Sequence, residues 1–267
     1  MQSIRPLLML AVMAVPIRGA VAQAHEEMPM EMQPGADQMK VSVRSPTEGS
    51  KVTSNNVTLE TVTTGFTKRC DLAGTPNQAG TGHYHVLVDK SLVNMFCSDD
   101  PVVSLAGLQP GPHILTVVPA QNDHAEIEKN AASVKIDYQP RQTAQASVKG
   151  TAPAGAPSIK ITSPKPGAAV WGSFSVRVEV RGFTLTCDEM GRPDVPGHGH
   201  WHLNFDTMKG PMMGMMTMAG MSCEKSLLAS TAGLKPGSTH QLIALLADNG
   251  HAPLMPVLAD SVAVVVK

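Results

Sequence analysis

The 267-residue chain contains itself twice. "GFTKRCDLAGTPNQAGTGHYHVLVD" at 65–89 aligns with "GFTLTCDEMGRPDVPGHGHWHLNFD" at 182–206 at a constant offset of 117. Gly-Phe-Thr, Cys-Asp, His-x-His and the closing Asp all coincide. Downstream, "AGLQPGPHILTVVPAQNDHA" (106–125) matches "AGLKPGSTHQLIALLADNGHA" (232–252) with one residue added in the turn. Upstream, "SPTEGSKV" (45–52) resembles "SPKPGAAV" (163–170). Duplication on this scale requires each copy to close around a core of its own, and it gives every candidate site residue an internal counterpart.

Each copy reads as short β-like runs punctuated by Gly and Pro: Lys40–Arg44, Val57–Phe66, His83–Asp89, Val102–Leu105, His113–Pro119 and Val134–Tyr138 in the first. The second repeats the order and ends in Asp260–Val266. No sustained helical period occurs. About seven short strands per hundred residues predicts an all-β chain of two tandem immunoglobulin- or fibronectin-III-like β-sandwiches. They occupy residues 40–138 and 159–267. The Pro-, Ala- and Gly-rich stretch 139–158 lacks an apolar period and reads as a linker.

Arg5 precedes the apolar run Leu7–Val15, and Ala22-Gln23-Ala24 fits the small-x-small cleavage rule. Residues 1–24 therefore read as a secretory signal peptide, followed by a flexible Met-rich segment over 25–39. That places the mature protein in the periplasm or outside the cell, with no later segment long enough to span a membrane. Basic and acidic residues number 21 and 22 without a basic cluster, which argues against nucleic acid or an anionic membrane as partner. In an oxidising compartment four cysteines suggest two disulfides. The repeat favours Cys70–Cys97 and Cys187–Cys223, each contributing roughly 3–4 kcal/mol in the chain-entropy picture.

Eight of the ten histidines form four equivalent pairs, His83/His200, His85/His202, His113/His240 and His124/His251. Only His25 and His198 stand alone. Strand alternation puts Tyr84, Val86 and Val88 in the first core and Trp201, Leu203 and Phe205 in the second. His83, His85, His200 and His202 then face outward, together with Asp89 and Asp206. In a sandwich the loop after the next paired strand returns to the start of this one. His124 and His251 are therefore expected beside the His-x-His pairs, with His198 as a further donor in the second copy. Three imidazoles at one pole suit Zn(II) or Cu(II). His113 and His240, just after a Leu-x-Pro-Gly turn at the other pole, take the place of a tyrosine corner and read as structural.

Seven methionines crowd residues 208–221, "MKGPMMGMMTMAGM", within an expansion peculiar to the second copy. Thioethers suit Cu(I), so Met212, Met213, Met215, Met216 and Met218 are candidate ligands. Because the loop follows Asp206, it is expected at the opposite pole from His200. The bland alternative is adaptable filler or a sticky contact surface. Cleavage after Ala24 would expose His25, whose amino group and imidazole form a natural Cu(II) chelate.

"GHYHVLVD" and "LQPGPHILTVVPAQNDHA", with their second copies, resemble a bacterial secreted domain family of unknown function. Its members carry a His-rich strand ending in Asp, a Leu-x-Pro-Gly-x-His turn and a further His. The resemblance covers about half of each repeat and implies selection of the histidines without supplying an activity. The duplication, the Cys pairs and the methionine loop depart from it. The reading that follows is an exported periplasmic metal-binding protein, holding or buffering copper, with zinc as the alternative ion. A second reading is a non-catalytic module that contacts an envelope partner, its histidines structural. A metalloenzyme is third, since no general base or substrate pocket can be named.

Overall fold

The computed structural model describes residues 32–141, 154–208 and 216–267. The first repeat contains β1 (Lys40–Ser45), β2 (Ser50–Val52), β3 (Asn56–Thr58), β4 (Glu60–Thr64), β5 (Thr67–Lys68), β6 (Thr81–Val88), β7 (Ser91–Phe96), β8 (Val102–Ser104), β9 (Gly111–Ala120) and β10 (Ala132–Tyr138). The second contains β11 (Ser158–Ser163), β12 (Ala168–Val170), β13 (Ser173–Arg181), β14 (Thr184–Leu185), β15 (His198–Phe205), β16 (Met218–Ser222), β17 (Ser226–Ser230), β18 (Thr239–Ala247) and β19 (Ala259–Val266). Among the described residues the helical pieces are short 3-10 turns. No helix there is long and apolar enough to cross a membrane.

Both repeats share one topology. A six-stranded sheet runs β2-β10-β9-β6-β5, with β7 also on β6; its twin runs β12-β19-β18-β15-β14, with β16 on β15. The opposing layer is β11-β13-β17 in the second repeat and the shorter pairs β1-β4 and β3-β8 in the first. Strand β13 is one long strand, whereas its counterpart is interrupted at Leu59, whose N–H bonds to Pro101 O at 2.9 Å. The chain is thus all-β and made of two β-sandwiches. Sequence alternation had located the long strands but not β2, β5 and β7, which are short edge segments.

Each core lies between its two layers. In the first, Tyr84, Val86 and Val88 meet Val41, Leu59 and Val103 from the other layer; in the second, Trp201, Leu203 and Phe205 meet Ile161, Val176 and Val178. Polar atoms on these aromatics are satisfied at the rim. Trp201 Nε1–H donates to Glu224 O at 2.7 Å, and Tyr84 O–H to Ser98 O at 2.8 Å. Cys70–Cys97 and Cys187–Cys223 are bonded, with Cα atoms 5.9 and 5.5 Å apart, each tying the loop before the central strand to the edge strand beside it. Two such bridges fit a protein that folds outside the reducing cytoplasm.

The described part of the N-terminal segment lies against the first sandwich. Residues Ala36–Gln38 form a 3-10 turn, and Met39 packs with Ala36, Ile127 and Phe66. Gln33 N–H donates to the Gln121 side chain at 2.8 Å. A buried thioether and a capped turn hold residues 32–39 on the first sandwich. The signal peptide, His25 and residues 142–153 of the linker lie outside the described residues.

Candidate metal centres at the seam between the repeats

The His face of each large sheet is buried rather than solvated. His83 and His85 point away from their own core, as alternation requires, but they are not outward in the sense of solvated. His83, His85, His124, His200, His202 and His251 are all at most 4% exposed. The other repeat covers them. On the same face, across the strand pair, Val118 and Ala120 stand opposite His85 and His83, and Leu245 and Ala247 opposite His202 and His200. All four are buried, yet none belongs to a sandwich core. They form a separate apolar seam.

The seam is reciprocal. His124 Nε2 donates to Met218 O of the second repeat at 2.8 Å, and His251 Nε2 donates to Leu92 O of the first at 3.1 Å. A Cβ on Gly74 would lie 2.6 Å from the Met218 carbonyl carbon, and one on Gly191 would lie 2.8 Å from Leu92 O. Both glycines also have left-handed φ, +73° and +70°, so their lack of a side chain is required twice over. Met218 and Leu92 occupy equivalent edge-strand positions. Each repeat therefore grips the other by the same two elements, the turn after its first cysteine and its last histidine loop. Further contacts break the symmetry: the Arg192 guanidinium donates to Ser104 O at 2.7 Å and Ala106 O at 3.1 Å, and Met190, Met221 and Cys223 pack with the first repeat's apolar cluster.

Two triads result, His83–His85–His124 and His200–His202–His251, and either could hold a metal ion. In the first, the facing nitrogens are nearly equilateral: His83 Nε2 to His85 Nε2 3.1 Å, His83 Nε2 to His124 Nδ1 3.1 Å, and His85 Nε2 to His124 Nδ1 3.3 Å. In the second, His200 Nε2 is 2.8 Å from His202 Nε2 and 3.0 Å from His251 Nδ1. Ligand nitrogens around a tetrahedral ion with bonds of about 2.0–2.1 Å lie about 3.3–3.4 Å apart. The first triangle is within a few tenths of an ångström of that spacing, and the two His200 distances in the second, 2.8 and 3.0 Å, are shorter than it by about 0.3–0.6 Å.

Hydrogen bonding on the far side of two rings in the first triad fixes their tautomers. His124 commits its Nε2–H to Met218 O, and His85 Nδ1 lies 2.5 Å from Glu126 Oε1. In the neutral rings that leaves His85 Nε2 and His124 Nδ1 as bare lone pairs aimed at one point. Only His83 can offer a proton to the trio, and its Nδ1 is buried without a hydrogen-bond partner. His200 Nδ1 is orphaned in the same way. Converging lone pairs in a buried place are costly for a protein alone and favourable for a cation, and a carboxylate behind a ligating histidine is a recurrent support for bound metal.

Burial, with neighbouring imidazoles adding to it, pushes His124 down to about 3, His202 to about 3 and His251 to about 4. The same causes hold His83 and His200 well below the usual 6.5. The triads also influence one another, since His202 is disfavoured as a cation by His124 and His251 by His85. Neutral imidazole is the ligating form. His124 and His251 carry further strain, with φ of 65° and 69°, a conformation that costs a non-glycine residue roughly 1–2 kcal/mol. Strain retained at both copies of one residue marks that residue's position as the point of the loop.

The other candidate residues are placed as follows. His198 stands outside both triads, its Nδ1 3.4 Å from Glu189 Oε2. His113 and His240 sit at the far pole, their Nδ1 atoms 2.6 and 2.7 Å from the carboxylates of Asp89 and Asp206. Each aspartate also accepts the next backbone N–H, so the pair latches a tight turn to its neighbouring strand. Met212, Met213 and Met215 lie outside the described residues, while Met216 is half-buried. Met218 corrects the expected separation of thioethers from imidazoles. It pairs with Asn204 in the histidine strand, and its carbonyl holds His124. The expansion leaves at Asp206, but its return strand runs back beside the histidines. Glu126 and Met95 escaped the sequence reading, and Met221 was counted in the methionine cluster without being named as a ligand. Glu126 had no counterpart to draw notice, because Pro253 takes its place in the matching bridge.

No protein-family profile matches the chain, and no curated protein matches it. Among solved structures it is similar to the fibronectin(III)-like modules of Clostridium thermocellum CbhA, at 14% identity over 85% of this chain and 94% of that one, TM-score 0.26. The endo-β-1,4-mannanase from Thermotoga petrophila is 14% identical over 43% of this chain and 20% of its own, TM-score 0.26. A Dscam structure concerned with isoform specificity is 10% identical over 85% and 46%, TM-score 0.23. Likeness this distant adds nothing to the site; the sandwiches rest on their own strand pairing.

Proposed function

We propose that this is an exported metal-binding module in which each repeat holds one transition-metal ion on three imidazoles. Copper is the first candidate ion and zinc the alternative. The observation that carries the reading is the pair of buried three-imidazole clusters, built twice, with the tautomer of the last histidine in each set by a carbonyl of the other repeat. Metal-ligand histidines need a partner on the second nitrogen, and here the other repeat supplies it for one histidine of each triad. Docked repeats are thus part of both sites. The recognition carried by the His-rich strand and the Leu-x-Pro-Gly-x-His turn belongs to the same proposal.

Cobalt(II) reports three-imidazole coordination by its visible spectrum and tests this directly. The mature chain should take up two equivalents, and His200→Ala/His202→Ala should take up one. A circular dichroism spectrum matching the parent would show that the sandwiches persist in the variant. Uptake that ignores substitutions in both triads would overturn the proposal. In that case the second reading takes over, because imidazole pairs at 2.8–3.3 Å and the bonds to Met218 and Leu92 could serve adhesion between repeats alone. The protein would then be an envelope interaction module of two sandwiches with structural histidines.

A further inference from the structure

Strand register places one more donor at each triad. His85 pairs directly with Met95 across β6 and β7, and His202 pairs directly with Met221 across β15 and β16. The two methionines are equivalent in the repeat at the offset of 126 that also relates Cys97 to Cys223. Directly opposed residues of an antiparallel pair share a face, their Cβ atoms about 4.5–5.5 Å apart. Tyr84 and Phe96, one position along, stack on the core side, so Met95 stands with His85 on the seam side. Neither methionine is a core residue of its own sandwich, and both are half-buried, Met221 against the first repeat's apolar cluster. They line one cavity of about 350 Å³ between the repeats, Met95 and Asn94 from one side, Gly220 and Met221 from the other.

A thioether on three rotatable bonds, one strand spacing from an imidazole, can swing from the cavity onto an ion held by that imidazole. Its chemistry selects the ion. Thioether sulfur is a soft donor that favours Cu(I), whereas Zn(II) takes nitrogen, thiolate or carboxylate. Charge points the same way. Three imidazoles and a thioether are all neutral, and the cost of burying an ion rises with the square of its charge, about fourfold from +1 to +2. Glu126 offsets part of that charge behind the first triad, but Pro253 leaves the second without it.

We propose that Met95 and Met221 are the fourth ligands of the two triads and make them sites for a soft monovalent ion, Cu(I). This rests on the triads binding metal at all, as proposed above. The redox-inert probe is Ag(I), followed through the methyl resonances of isotopically labelled methionine in the full mature chain. Met95→Leu and Met221→Leu assign the two signals and keep the apolar volume. Both resonances should shift within the first two equivalents of Ag(I), before those of the other methionines. The double variant should bind Ag(I) at least about tenfold more weakly while its Co(II) uptake stays at two equivalents. Unmoved Met95 and Met221 signals with Co(II) uptake intact would overturn this inference and leave the triads standing as metal sites. Loss of both Co(II) and Ag(I) binding at the histidines in the parent chain would overturn the two together.

Discussion

Mild acid should pull the repeats apart before it unfolds either one. The six triad imidazoles are buried at the seam, outside both sandwich cores, so undocking is enough to hydrate them. For five of them basicity is lowered in the docked state, to about 3 for His124 and His202, to about 4 for His251 and well below the usual value for His83 and His200. Once exposed they regain an ordinary value near 6.5. The undocked form therefore binds more protons at every pH between those limits. Docking is fully favoured above about 6.5 and loses free energy as pH falls from there toward the docked values. At pH 5 His124, His202 and His251 each cost on the order of 2 kcal/mol, so together they oppose docking by several kcal/mol.

Opposing that cost are the apolar seam, the bonds to Met218 and Leu92 and the Arg192 contacts, within a net stability that is itself small for any domain. Small-angle scattering of the metal-free protein at low salt should show the radius of gyration rising between pH 7 and pH 5, while far-ultraviolet circular dichroism retains its strand signal. Saturating Co(II) should move the transition to lower pH, since the ion and the proton compete for the same lone pairs. A scattering curve unchanged from pH 7.5 to pH 4.5 in the metal-free protein would refute the reasoning. It would mean that the imidazoles are either hydrated already or held by a seam far stronger than its contacts indicate.

Substituting alanine at Gly74 or Gly191 should undock the repeats at neutral pH. The left-handed φ costs roughly 1–2 kcal/mol, and the new Cβ meets the opposing backbone at 2.6 or 2.8 Å, which scattering at pH 7.5 would register as expansion. Replacing Glu126 by alanine should weaken metal binding at the first triad by about 10–100-fold and leave the second unchanged, because His85 loses the acceptor that orients it and His202 faces no such group from Pro253. Competition titration with Co(II) on this variant and its parent separates the two sites.

Much of this arrangement could be read from the chain, and for identifiable reasons. Alternation along "HYHVLVD" and "HWHLNFD" fixes which side chains enter the core, because a strand has a strict period of two. The repeat favours one disulfide pairing of three. Antiparallel return explains why His124 and His251 meet the His-x-His pairs. Alternation cannot say what covers the other face, however, and there the outward reading failed. A signal was present: "HILTVVPA" and "QLIALLA" are apolar almost continuously, the mark of strands covered on both faces. Val118 and Leu245 are the residues that should have raised the question. The place of Met95 and Met221 beside the triads was invisible for another reason, since it depends on edge-strand register and a bulge that no single strand pattern encodes.

The reciprocity of the seam explains why a metal centre of this kind would be built from two copies. His124 reaches Met218 as His251 reaches Leu92, and Gly74 meets Met218 as Gly191 meets Leu92, the pattern of a two-fold interface in which each partner offers the same patch. Joining the partners in one chain replaces an association between molecules by one at high effective concentration, so a modest seam suffices. It also frees the two halves to diverge. Arg192 and Met190 reinforce the seam from one side only, and Glu126 supports one triad only. A lone repeat would keep three histidines on one face, but water would reach them and nothing would hold the Nε2 proton of the third. Exclusion of water and the fixed tautomer of the third histidine arise from the second copy.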